Sequence, residues 1–174
     1  MNFEQFKANV IQWATDRNFF AKNGATVSGQ IKKGISECGE LADNLAKGRN
    51  ILDDIGDNCV VAINVATLID PSWELEVTYE PQGLSIEHSD EVLSDLTLEW
   101  GQLLAKKTCS TCQHILNLCA ELAEAHGLNI EDCYEKAWND IKDRKGIMRN
   151  GTFIKQADLD KEAQNVSANP GSPV

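Results

Sequence analysis

An all-α fold is predicted, on three observations. Six stretches repeat apolar residues at the three-and-four spacing that gathers them on one helix face. Helix-start asparagines (Asn2, Asn129) and glycine stops (Gly48, Gly127) bracket several of these stretches. The one polar–apolar alternation, Glu74-Leu75-Glu76-Val77-Thr78-Tyr79, is cut short by Pro81 and Gly83. The expected architecture is a bundle of five to six helices over residues 1–155, with a short inserted loop or hairpin at 70–88 and a flexible C-terminal tail at 156–174. A chain of 174 residues suits one such domain and can bury a core without covalent staples.

Taken in order, Asn2 caps a first helix to about residue 18, with Phe3, Phe6, Val10, Trp13 and Ala14 inward. Residues 19–27, which include Gly24, read as a loop. A second helix at 28–45 buries Ile31, Ile35, Cys38, Leu41, Ala42 and Leu45. It ends at Lys47-Gly48-Arg49-Asn50, where cations and a glycine suit a helix C-terminus. The third helix begins at residue 50 or 51 and runs to 69. From Cys59 onward it is apolar nearly all round, which marks a helix buried on most sides.

Beyond the insert, a fourth helix to residue 106 carries Val92, Leu96, Trp100, Leu103 and Leu104 on its stripe. A fifth, at 110–126, turns Ile115, Leu116, Leu118, Cys119, Leu122 and Ala123 inward. Asn129 caps a sixth with Ile130, Cys133, Ala137, Trp138 and Ile141 on its core face, and the basic run Lys142-Asp143-Arg144-Lys145-Gly146 follows.

The charge balance excludes one class of partner. Sixteen basic residues against 27 acidic ones give a formal charge of -11, a surface that repels a nucleic-acid backbone. A nucleotide substrate remains compatible, because a bound metal inverts the field of an acidic pocket. No stretch reaches the length of a membrane span, and the N-terminus lacks a basic start followed by an apolar run. The expectation is a cytoplasmic protein (host cytoplasm for a phage-encoded one), without membrane contact and with its 6 cysteines reduced.

Chemistry is concentrated in two acidic runs, Glu37-Cys38-Gly39-Glu40 and Asp53-Asp54-Ile55-Gly56-Asp57. Glu37 and Glu40 are three apart, within roughly 60° on one side of a helix, and Asn44 continues the line. Asp54 and Asp57 repeat the spacing at the start of the next helix, where the helix dipole favours negative charge. The short link at 46–50 makes the two helices antiparallel neighbours, so both pairs can face one groove. One acidic pair would be a solvated face. Two pairs beside apolar surfaces favour a hard cation, and Mg²⁺ needs only a few carboxylates because it keeps waters and phosphates in its shell. Gly39 costs about 1 kcal/mol in a helix interior, which predicts that another backbone or a ligand approaches closely there.

The runs Ser36-Glu37-Cys38-Gly39-Glu40-Leu41 and Asp54-Ile55-Gly56-Asp57, with the later Asn139-Asp140-Ile141-Lys142-Asp143-Arg144-Lys145-Gly146, carry a resemblance. The chain resembles the MazG-like all-α nucleoside triphosphate pyrophosphohydrolases, particularly the short phage-type members. That family's first run reads Glu-Glu-x-x-Glu and its second Glu-x-x-Asp. Here Ser36 stands for the first glutamate, and Asp54 for the glutamate of the second run.

The resemblance implies Mg²⁺ (with Mn²⁺ as a substitute) held by Glu37, Glu40, Asp54 and Asp57, which are then also the catalytic residues. It implies hydrolysis of a nucleoside triphosphate, by preference a deoxynucleotide, to monophosphate and pyrophosphate by metal-activated water. Asn139, Lys142, Arg144 and Lys145 are candidates for contacting the nucleotide, and Trp13 is either core or a base-stacking platform. Glu40 is expected to be the most sensitive position. A homodimer or homotetramer is implied, with the apolar third helix packed against a partner.

Two other readings have their own residues. Cys109-Ser110-Thr111-Cys112-Gln113-His114, followed by Cys119, has the spacing of half a zinc site, although the same cysteines fall at helical core spacing. Ser36 and Asp54 also fit a non-catalytic helical interaction or metal-binding protein.

Overall fold

Asn2 opens the first helix, its Oδ1 accepting the Gln5 N–H at 2.9 Å, and α1 runs Phe3–Asp16. The computed structural model describes residues 1–149 and 151–168. Thr26 caps α2 (Val27–Ala46) through the Gly29 N–H. There follow α3 (Leu52–Ile69), α4 (Ser89–Lys106), α5 (Cys109–Ala125) and α6 (Ile130–Ile141), which Asn129 caps. The fold is all-α, and the six expected helices lie within a residue or two of their expected bounds.

Two elements are additional. Strands β1 (Gly146–Arg149) and β2 (Thr152–Lys155) form an antiparallel hairpin, with Ile147 opposite Ile154. Helix α7 (Gln156–Ala168) then occupies much of the segment read as a flexible tail; residues 169–174 lie outside the described ones. Neither carries a readable pattern. Each strand is four residues long. The last helix has no apolar stripe and is braced by polar pairs, Gln156 Nε2 to Asp160 at 2.9 Å and Arg149 to Glu162 at 2.8 Å.

Helix α3 is the axis of the core. Ile55, Cys59, Ala62, Ile63 and Val65 have no exposed surface, and α1, α2, α5 and α6 pack around them. The apolar run expected to meet a partner is therefore covered by the chain's own helices. Large exposed apolar side chains lie instead on α2 and α4, at Ile35, Leu98 and Leu104, in the 70–88 segment, at Trp73 and Ile86, and on β1, at Ile147.

Two glycines set the close approaches. A Cβ on Gly34 would run into the Trp100 ring, so α4 lies directly on α2 and Ile35, expected inward, turns out. A Cβ on Gly56 would meet the Cys133 carbonyl and the Ala137 methyl, so α6 lies directly on α3. No other backbone makes the close approach to Gly39, since no described residue lies within 4 Å of the position its Cβ would take.

The insert is a loop and not a hairpin, a strap laid over α5. The Gln113 amide exchanges two hydrogen bonds with the Glu76 backbone. Asn117 accepts the Thr78 N–H and donates to Thr78 Oγ1, both at 2.9 Å. Glu124 accepts from Tyr79 Oη and from the N–H groups of Gln82 and Gly83. Helix side chains thus supply the partners that a second strand would have given. A single 3-10 turn, Ile86–His88, leads into α4. No helix among the described residues is long and apolar enough to cross a membrane.

Candidate functional site

Two facing stripes build a narrow cleft that is partly open to solvent. Along α2, Gln30, Lys33 and Glu37 recur at three-and-four spacing; along α3, Asp57, Val60, Val61 and Asn64 do the same. The close α3–α6 contact at Gly56 carries Ile141 and Arg144 to the rim. Trp13 and Phe19 close one side with Phe153 and Lys155 of the hairpin.

The acids divide between this cleft and its flank. Glu37, 6% exposed, is ion-paired with Lys33 one turn earlier. Burial, the Glu37 charge and the Asp53 charge push the Asp57 carboxyl up to about 7, against the opposing pull of Arg144 and Lys33. Asp54 lies outside the cleft, and both its oxygens accept from Asn44 Nδ2 at 3.0 Å. Its carboxyl is also raised, first by burial and then by Asp53 and Glu40, with the Asn44 bonds opposing. Glu40, expected to be the most sensitive position, is exposed and lines a separate open groove with Ser36, Asn44 and Arg49.

The structure therefore brings Glu37 to Asp57 and leaves Glu40 with Asp54 beside them. Asp53, whose charge acts on both Asp54 and Asp57, faces Lys136 at 3.3 Å, and Lys136 is itself paired with Asp140. Among the described residues no three His, Cys, Asp or Glu side chains are placed to hold a metal ion as they stand. Oxygens of Glu37 and Asp54 are engaged by Lys33 and Asn44 instead.

Of the residues expected to contact nucleotide, Trp13 and Arg144 line the cleft, whereas Asn139, Lys142 and Lys145 are exposed outside it. Asn139 Oδ1 accepts from Lys142 Nζ at 2.7 Å. The segment bearing Arg144 is tied to α1 by Arg17. Its Nε donates to the Arg144 carbonyl at 3.0 Å and its Nη2 to the Lys142 carbonyl at 3.2 Å, while the guanidinium lies 4.7 Å from the centre of the Trp13 ring.

Sequence reasoning missed Gln30, Lys33, Asn64, Phe153 and Lys155. A signal existed for three of them. Gln30 and Lys33 share a helix side with Glu37, and Asn64, polar in an apolar run, follows Asp57 by two turns.

The cysteine constellation does not gather. Cys109, Cys112 and Cys119 are buried free thiols, and burial pushes the Cys112 thiol up to about 12. His114 is exposed and faces Glu99 at 3.6 Å. No family model, no curated protein and no solved structure matches this chain.

Proposed function

We propose that the protein is a Mg²⁺-dependent nucleoside triphosphate pyrophosphohydrolase, converting a (d)NTP and water to a (d)NMP and pyrophosphate, with Mn²⁺ as a substitute ion. The observation that carries this reading is the set of chemistries lining one cleft: the carboxylates Glu37 and Asp57, the cations Lys33, Arg144 and Lys155, and the aromatic wall of Trp13, Phe19 and Phe153. A nucleoside triphosphate with its metal needs these three. The order of the two acidic runs and the later basic run, similar to that of the MazG-like family, supports the same assignment.

The donor set fits a hard cation. It is all oxygen, and Asp57 sits where burial and two carboxylates penalise its charge, a penalty that a cation reverses. Glu37 and Asp57 would hold the ion from within the cleft, and Glu40 and Asp54, which lie outside it, would have to turn toward it to join them; when bound it would offset phosphate charge and act as a Lewis acid. Arg144 and Lys155 bind phosphate oxygens, and the aromatic wall excludes water from the nucleoside. The attacking water's oxygen bonds to the α-phosphorus, and the α,β-bridging oxygen leaves with pyrophosphate. A carboxylate oxygen of Asp57 or Glu40 takes the water's proton.

The test is a panel of triphosphates with Mg²⁺, scored for pyrophosphate and monophosphate, using wild type, Asp57→Asn and Glu40→Gln. Turnover by the wild type and a loss of 10²-fold or more in Asp57→Asn are expected. No turnover of any triphosphate, or equal turnover by Asp57→Asn, refutes the enzyme reading and leaves a non-catalytic interaction or metal-binding protein. Release of inorganic phosphate and diphosphate refutes the assigned scissile bond.

A further inference from the structure

Helix α3 carries two buried asparagines, Asn58 and Asn64, with different fates. Asn58, without exposed surface, accepts the Trp100 indole N–H at 2.9 Å and donates to the Asp54 carbonyl at 2.9 Å. Its amide is used at both ends. Asn64, 2% exposed, lines the cleft, and its Oδ1 has no hydrogen-bond partner among the described residues. The Trp13 indole Nε1, in a residue 6% exposed that lines the same cleft, has none either. The same two residue types thus occur twice, once bonded to each other in the core and once unbonded at a cavity.

Buried polar atoms are nearly always paired, because leaving one unpaired forfeits its hydration without return. An unpaired donor and an unpaired acceptor, each buried from water on residues that line one cleft, are groups that a ligand seated there would satisfy. The two other buried atoms of this kind among the described residues, Asp53 Oδ1, which faces Lys136, and Tyr134 Oη, in the core beside Phe6, do not line the cleft. The aromatic residues lining the same cleft form a packed cluster. The Phe153 ring meets Trp13 edge-on at 5.4 Å and Phe19 lies tilted at 5.6 Å, while Arg17 packs over the indole at 4.7 Å and fixes its orientation.

We propose that Asn64 and Trp13 read the edge of a nucleobase, the ring presenting a hydrogen-bond donor to Asn64 Oδ1 and an acceptor to Trp13 Nε1. The assignment of that ring to a nucleotide rests on the function proposed above. A side-chain carboxamide matches a ring edge with neighbouring donor and acceptor, as in bidentate recognition of bases. Asn64 follows Asp57 by seven residues, roughly 10 Å along the helix axis, which leaves room for a sugar between a base at Asn64 and phosphates at Asp57. An apolar pocket alone discriminates weakly, whereas buried polar groups reject rings that leave them unpaired. Asn64 and Trp13 therefore determine specificity.

The experiment compares the full chain with Asn64→Leu, Trp13→Phe and Asp57→Asn, each first checked by thermal melting. One readout is equilibrium binding, without added metal, of the nucleoside 5′-monophosphates of adenine, guanine, cytosine, uracil and thymine. The other is the ratio of kcat/KM among the matching triphosphates with Mg²⁺. Wild type should favour its best base over its worst by at least about tenfold, and both Asn64→Leu and Trp13→Phe should compress that ranking by about tenfold. Asp57→Asn should lose turnover yet keep the monophosphate ranking. A ranking unchanged in both pocket variants, equal binding of all bases by wild type, or no binding of any of them overturns the inference. Turnover in those cases leaves the hydrolase reading intact. Base-ranked binding that the pocket variants erase, without turnover by any protein, sustains the inference and overturns the hydrolase reading.

Discussion

Replacing Asp57 with asparagine should stabilise the metal-free protein at alkaline pH. The unfolded chain ionises this carboxyl near 3.8, whereas burial and the Glu37 and Asp53 charges raise it to about 7 in the folded chain. Between those values the folded state holds more protons, so stability is fully present below about pH 4 and is lost as pH rises through about 7. A rise of roughly three pH units, at about 1.4 kcal/mol each, bounds the loss near 4 kcal/mol. Local relaxation and a higher effective dielectric reduce that to about 2 kcal/mol as a working expectation. For a chain of this size about 1 kcal/mol moves the melting temperature by 2–4 °C. In chelator at pH 8, Asp57→Asn should melt roughly 4–8 °C above wild type, with the gap narrowing at pH 5. Adding millimolar Mg²⁺ should raise the wild type and leave the variant nearly unmoved. Melts followed by circular dichroism at both pH values measure all of this. A variant no more stable than wild type at pH 8, or a gap that does not change with pH, would refute the reasoning about Asp57.

The remaining predictions concern packing and the strap. Gly56→Ala places a methyl against the Cys133 carbonyl and Ala137, and should cost about 1–3 kcal/mol in a urea titration. Gly39→Ala meets nothing within 4 Å and should gain up to about 1 kcal/mol from helix propensity; the two results reversed would mean that the α2–α3–α6 packing described here is wrong. Glu124→Ala removes the acceptor for Tyr79, Gln82 and Gly83, so limited proteolysis should cut within residues 70–88 faster than in wild type, with α5 itself intact. Unchanged cleavage would show that the strap is held elsewhere.

Helix extents were legible because their determinants are local. Asn2 and Asn129 cap where their side chains predict, and the apolar stripe from Phe6 to Trp13 is buried. Helix α7 was not legible because a polar helix held by one i,i+4 pair and by a neighbouring hairpin has no burial pattern to read. The glycines divide in the same way. A glycine in a helix says that something unusual is tolerated there, but only tertiary contact distinguishes Gly34 and Gly56, pressed by neighbours, from Gly39, which is open.

In the site, the spacing of Glu37 and Asp57 within two acidic runs was enough to put them on facing helices. That Glu40 and Asp54 fall outside the cleft follows from helix rotation, which spacing fixes only to within a face. Asn64 was hidden by its surroundings. An isolated amide in an apolar run reads first as a satisfied core residue, as Asn58 in fact is.

The strap over α5 shows what an alternating pattern records. Leu75 is buried while Glu74 and Glu76 face out, a two-residue rhythm with no strand beside it, because Gln113, Asn117 and Glu124 grip its backbone. A grip on main-chain atoms is indifferent to the identity of the outward side chains. Mutations at Glu74 and Glu76 can therefore accumulate silently, while Thr78 and Tyr79, whose side chains join the clasp, and the helix residues that grip them stay put.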